Sequence, residues 1–169
     1  MTWCSEERGL IKTVAKGALR PKSPFAGRLD LFVSADLAFT ESRRSDLHSL
    51  REAAVTNHRL GLRGSWRRVL AASYFVHLLE HVAERDTPVP ELFDLLGRAL
   101  DYLDSRDPDQ RAILHFESEL ARTQGIRPAG GGAAIHALRH HFHVPATQRD
   151  HLLESLVPPS AGPSAETGG

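Results

Sequence analysis

A chain of 169 residues, 41% hydrophobic and 25% charged, holds one ordinary domain or two small ones and has the balance of a globular protein, not a disordered one. Its single cysteine, Cys4, excludes an internal disulfide and any zinc site built from cysteines. The net charge of zero hides an asymmetry, because residues 1–68 hold 13 Lys and Arg against 7 Asp and Glu, a surplus of +6, and residues 69–169 carry the matching deficit. Such a split suits a basic half facing a polyanion, although small domains also vary by this much. No apolar run approaches the roughly 20 residues that span a bilayer. "MTWCSEERG" lacks the apolar stretch of a secretory signal, so a cytoplasmic location is expected.

The first third reads as strands broken by turns. "GLIKTVAKG" alternates Leu10, Lys12, Val14 and Lys16 with Ile11, Thr13 and Ala15, as a half-exposed strand does. From Val14 to Phe32 the chain reads "VAKGALRPKSPFAGRLDLF", with Lys16, Arg20, Lys22 and Arg28 and no acidic residue before Asp30. "RPKSP" cannot be a strand interior, since Pro21 and Pro24 lack donors and restrict their predecessors. "GRLDLFVSADLAFTES" places Leu29, Leu31 and Val33, then Leu37 and Phe39, at period two, with a bend at Ser34–Asp36. "SRRS" at 42–45 is a hairpin turn and "DLHSLREAAVT" its returning strand. Roughly three strands are too few to close a barrel.

From Gly64 the period becomes helical. In "SWRRVLAASYFVHLLEHVAERD", residues Trp66, Val69, Leu70, Ser73, Tyr74, His77, Leu78 and His81 share a face that Phe75, Val76, Leu79 and Val82 widen, which marks a central helix. Thr87 as cap, Pro88 at the first position and Glu91 predict the next helix, with Leu92, Leu95, Leu96, Ala99, Leu100 and Leu103 as its stripe. Asp107-Pro108 predicts a third in the same way, carrying Ile113, Phe116 and Leu120 and ending near Gly125. "RPAGGG" is a break, and its glycines follow no strand, so they read as a hinge and not as a nucleotide fingerprint. Two shorter helices are expected over Ala133–Phe142 and Thr147–Leu156, and "PPSAGPSAETGG" has the composition of a disordered tail. Strands first and helices second, without βαβ alternation, indicate an α+β fold. The expected division is a β unit over 1–62, a helical unit over 63–157 and a tail over 158–169.

The order of these motifs resembles the RecO family of bacterial recombination mediators. Lys16-Gly17, Arg20-Pro21-Lys22-Ser23, Gly27, Leu29 and Phe32 resemble a strand and loop of that family's N-terminal oligonucleotide-binding (OB) barrel. "LREAAVT" looks like the closing strand, and "AASYFVHLLEHVAERDTPVPELFDLLGRALDYLD" and "ILHFESELARTQGI" look like the first three helices. The resemblance covers roughly residues 5–127. It implies an N-terminal OB-fold barrel followed by a helical domain, and two departures stand out. Only "MTWCSEE" precedes Gly9, so the barrel's first strand is absent and the second is at most a stub. Such a barrel leaves an unpaired edge, which an earlier start codon, a partner or another chain could cover. The earlier start is the favoured expectation, and a stop codon just before Met1 would exclude it. Second, "GIRPAGGGAAIH" stands where many members carry a cysteine zinc site.

The leading site candidates are Lys12, Lys16, Arg20, Lys22, Arg28, Arg43 and Arg44, cations able to neutralise phosphates and release counterions. The alternative is a solvated hairpin rim. Phe25 is the one aromatic of the loop placed to stack on a base, Phe32 and Phe39 reading as core. His136 and His140 stand at i, i+4 with His141 and His143 near, but no carboxylate or thiol accompanies them, and no metal is expected. His77 and His81 read as the polar margin of a core face or part of a partner groove. No P-loop, nucleophile elbow or HExxH occurs, so neither an enzyme nor a cofactor is expected. The resemblance implies binding of single- and double-stranded DNA, strand annealing, and loading of RecA with a RecR partner onto strands coated by single-stranded DNA-binding protein (SSB). It implies nucleoid association, and a helical groove for the SSB tail with Arg98, Arg111 or Arg122 at its rim. The rival reading is a truncated paralogue that binds protein and not DNA.

Overall fold

The computed structural model describes residues 1–18, 20, 23, 25–27, 29–127 and 133–157. Four strands come first, β1 (Thr2–Ser5), β2 (Gly9–Val14), β3 (Ser34–Thr40) and β4 (Leu47–Asn57). They form one mixed sheet in the order β1-β2-β4-β3, with a parallel pair at its centre and antiparallel pairs on either side. A 3-10 turn, Leu60–Gly64, leads to α1 (Trp66–Val82), α2 (Pro90–Ser105), α3 (Gln110–Thr123), α4 (Ala134–Phe142) and α5 (Thr147–Leu156). The fold is α+β with its strands and helices segregated along the chain.

The alternation read in β2 holds from Ile11 to Val14, with Ile11 and Thr13 buried and Lys12 and Val14 more open, whereas Leu10, on the Lys12 side, is buried against the helices. Trp3 pairs with Ile11, and its indole N–H donates to Thr13 Oγ1 at 2.8 Å. These residues join Phe25, Leu50 and Ala53 in a small core against one face of the sheet. The strands differ from expectation in two places. A fourth strand, β1, forms from "TWCS", a segment too short for period two to register. Leu29, Leu31 and Val33 belong to no strand, because Phe32 adopts a left-handed φ of 64° and turns the chain before β3 starts at Ser34. The Arg59 guanidinium holds that turn by donating to the Phe32 carbonyl and Ser34 Oγ, both at 2.9 Å.

Helix α1 is central as expected, burying Tyr74, Phe75, Leu78 and Leu79. Phe75 stacks on Phe116 of α3 with centroids 4.0 Å apart. Two helix starts are later than the sequence suggests. Val89, not Thr87, precedes α2, since a residue before proline avoids helical geometry and Pro90 sets the first turn. Asp109, not Asp107, caps α3, accepting from the Ala112 N–H at 2.7 Å, while the Asp107 carboxylate is held by Arg68 at 2.6 Å.

One charge lies wholly inside. Glu117 of α3 accepts from the Tyr74 hydroxyl at 2.7 Å and from Arg149 of α5 at 2.6 and 3.1 Å. Burial and then the Glu117 charge push the Tyr74 phenol up, so it stays a donor. Glu117 holds Arg149 firmly protonated through their hydrogen bond. The triad joins three helices, and every partner is matched.

The sheet does not close. Strands β1 and β3 are its two edges, and no described strand joins them. Between them lies a cleft of about 350 Å³ lined by Trp3, Cys4, Leu37, Leu79 and Leu96. Burial pushes the Cys4 thiol up to about 11.

Two measurements check this picture. Glu117→Gln, which leaves Arg149 without its counter-charge, lowers unfolding stability in urea by about 3–5 kcal/mol, and Tyr74→Phe by about 1–2 kcal/mol. A loss under about 0.5 kcal/mol for both would deny the triad any structural weight. At pH 8, native Cys4 alkylates about a hundredfold more slowly than a free thiol, because its thiolate is that much scarcer. The sign follows from the raised value. The thiol's contribution to stability is present below the unfolded value near 9 and is lost as pH rises through about 11.

Candidate nucleic-acid interface

Three segments around the central β2–β4 pair carry the predicted cations. Lys12 lies on the outward face of β2, in register with Leu47 of β4, and Val14 with Ser49 follows on the same face. Lys16 opens a turn just past β2 and is exposed. Gly17 takes φ +75° there, a left-handed geometry that suits glycine. Hydrogen bonds from Ala18 to Ala15, Arg20 to Gly17 and Ser23 to Arg20 make the segment a run of tight turns that leaves Arg20 exposed. Lys22 and Arg28 lie outside the described residues.

Arg43 and Arg44 are exposed in the turn between β3 and β4. That turn is braced from within. The Ser42 N–H donates to His48 Nδ1 at 3.2 Å, and the Arg44 N–H donates to Ser42 Oγ at 3.3 Å. The His48 ring stacks on Phe39 at 5.3 Å, with the Arg8 guanidinium over Phe39 at 5.5 Å. Acidic neighbours are already taken, Glu41 and Asp86 by Arg8 and Asp46 by Arg85. Among the described residues, no carboxylate forms an ion pair with Lys12, Lys16, Arg20, Arg43 or Arg44. Their positive field is therefore not cancelled locally.

One cation beyond the seven expected was missed. Arg51 lies at a register shift between β3 and β4, where Phe39 pairs with Leu50 and Ala38 with Glu52, and its Nε donates to Thr40 Oγ1 at 2.8 Å. The shift places one extra residue in β4, so period two cannot say which way it faces. One expectation fails. Phe25 is 6% exposed within the small sheet core, so it cannot stack on a base. Its apolar neighbours Trp3, Ile11 and Leu50 outcompete solvent for the ring.

The other candidates are less convergent. His136, His140, His141 and His143 are exposed, and no group of three or more metal-ligating side chains converges among the described residues. His81 Nδ1 sits 2.9 Å from the His77 carbonyl, and partial burial followed by the nearby His81 pushes the His77 imidazole down. Arg98 is paired with Asp94 at 2.8 Å and Arg122 with Glu119 at 3.0 Å, each on its own helix, while Arg111 is exposed. Arg122 lies at a hollow of mixed character lined by Leu114, Ser118, Ala121, Ile126, Arg127 and Ala134. Among the described residues no helix is long and apolar enough to cross a membrane.

Two family models match this arrangement in chain order. "Recombination protein O N terminal" matches residues 2–59, the stretch that holds the sheet, and "Recombination protein O C terminal" matches residues 63–130, which hold α1 to α3. The chain belongs to the recombination protein O family. It is 30% identical over 129 residues to a protein named DNA repair protein RecO from Syntrophus aciditrophicus, and 32% identical over 128 residues to one of the same name from Anaeromyxobacter sp. (strain K). Each match covers 76% of this chain and 50% of the relative. A third protein of that name, from Desulfosudis oleivorans, is 38% identical over 100 residues, covering 59% of this chain and 38% of the relative. The chain thus spans about half the length of the curated relatives first described. Membership makes the four-stranded sheet an open form of the family's OB-fold unit, and it connects the chain with DNA repair and recombination.

Exposed cations on a rigid support should be dispensable for folding. Alanine at Lys16, Arg20, Arg43 or Arg44 leaves the urea midpoint within about 0.5 kcal/mol of the parent chain. A loss above about 1 kcal/mol at any of them would make that residue part of the framework instead.

Proposed function

We propose that the chain is a DNA-binding recombination mediator. Its work is to hold single- and double-stranded DNA, promote annealing of complementary strands, and assist a RecR partner in loading RecA onto strands coated by SSB. The observation that carries this reading is the set of cations Lys12, Lys16, Arg20, Arg43, Arg44 and Arg51 around one strand pair, with nearby acids Glu41 and Asp46 committed to Arg8 and Arg85. Phosphates are the ligand such a set suits. Annealing brings two polyanions together, which a surplus of +6 over residues 1–68 would favour by neutralising both. Lys22 and Arg28 belong to the same proposed site by sequence. In this reading DNA lies chiefly on residues 1–62 and protein partners on 63–157, with Arg122, although paired with Glu119, a candidate rim cation for an acidic, apolar tail. No catalytic step, cofactor or metal is assigned, and the work belongs in the cytoplasm at the nucleoid.

A second reading, a protein-interaction module without DNA affinity, is favoured by the open cleft between β1 and β3. One titration separates the two. DNA binding by the six described cations to single strands gives a log–log salt slope of about −4, at roughly −0.7 per phosphate, and of about −5.6 where Lys22 and Arg28 also take part. Lys16→Ala with Arg20→Ala makes that slope shallower by about 1.4 and weakens binding for all sequences alike. Negligible affinity at low salt would leave the interaction module as the function.

A further inference from the structure

We infer that Trp66, at the start of α1, is a stacking platform for an unpaired base of single-stranded DNA, flanked by Arg63 and Arg67. The inference rests on the DNA-binding reading and supplies what the cationic set lacks, a contact with bases. Phe25 is buried, and Phe39 is half-buried and engaged with His48. Trp66 is 59% exposed, more than any other described aromatic side chain, although α1 buries every other large aromatic it carries. A largely exposed indole offers the largest π-face of any side chain.

Its surroundings are those of a nucleic-acid contact. The Arg67 guanidinium lies 5.8 Å from the Trp66 ring centroid, and Arg67 Nε is buried without a partner. Arg67 forms no ion pair with a described residue. No acidic residue occurs between Glu52 and Glu80, a stretch that holds Arg59, Arg63, Arg67 and Arg68. The first turn of α1 is likewise free of acidic groups. In space Arg59 is paired with Asp101, Arg63 with Asp30 and Arg68 with Asp107, so Arg67 is the cation of this stretch without an ion pair among the described residues and the one open to a phosphate.

The position also fits. Asp30, at the end of the cationic loop, forms an ion pair with Arg63, three residues before Trp66. Leu31 and Leu60, 69% and 67% exposed, are apolar surface beside the same contact. A duplex keeps its base faces stacked inside and has none to give, so the platform selects single strands.

The chain contains two tryptophans, which makes the test direct. Trp3 is buried and donates to Thr13, so quenching on DNA binding reports Trp66. Titration of residues 1–169 with a 20-nucleotide oligothymidylate at low salt is expected to quench the emission, and a duplex of equal length is not. Trp66→Leu is expected to weaken single-strand binding about tenfold, within the range for loss of one stacked base, with the salt slope unchanged. Trp66→Phe is expected to retain part of the affinity and lose the quenching. An abasic oligonucleotide is expected to bind the parent and Trp66→Leu equally. Salt-dependent binding without quenching, or with Trp66→Leu equal to the parent on the oligothymidylate, overturns the platform and leaves the phosphate reading in place. No binding at all overturns both and turns the exposed indole over to a protein contact.

Discussion

The Arg59 guanidinium ties the sheet to the helices, and the placement of the rest depends on it. Its side chain is almost wholly buried, donating to the Phe32 carbonyl, to Ser34 Oγ and to Asp101 of α2 at 2.7 Å. Its own backbone is left-handed, with φ 43°, and its N–H is held by Asn57 Oδ1 at 3.0 Å. Two residues on, the Gly61 N–H donates to Asp104 Oδ1, so close that a Cβ would overlap the Asp104 carbonyl oxygen. A buried cation with three matched acceptors around it is costly to misplace, which makes this junction a register pin and not merely a contact.

From that pin the geometry of the proposed DNA face follows. It holds Phe32 and Ser34, which follow Asp30, and Asp30 pairs with Arg63. The acids that could quench the cations are occupied elsewhere by Arg8 and Arg85, in exposed pairs of little energetic worth. Their consequence is electrostatic. They leave Arg43 and Arg44 unopposed at the end of a braced turn.

Periodicity made the helices legible because each buries one stripe on a common core. The ends of α4 and α5 fall within a residue of expectation for that reason. At both displaced helix starts a non-local group takes a group the local signal would have used. Val89 gives its N–H to the Glu6 carbonyl outside the helix, and Asp107 serves Arg68 instead of capping α3. Glu117 was written in the sequence as an acid on the inner stripe of α3, between Phe116 and Leu120. Its partners Tyr74 and Arg149 are 43 and 32 residues distant, so only the fold could reveal the triad. Arg51 was hidden by a register shift, and Phe25 by a core assembled from three separate segments. The cations themselves were readable, since exposure is the default for Lys and Arg and needs no partner to specify it.

The open sheet and the proposed DNA face make different demands. Closure would pair the edges β1 and β3, but every described cation of the site lies on or beside β2 and β4, the two central strands. Lys12 and the turn carrying Arg43 and Arg44 are placed by the parallel register of Lys12 with Leu47, and Lys16 follows one residue after the sheet-core position Ala15. Edge strands fray first, because they have ladder bonds on one side only. Central strands keep their geometry as long as the pair survives. A phosphate face built on that pair therefore needs no closed barrel, whereas the apolar cleft at the edges is the part of the molecule that closure, by whatever strand, would change.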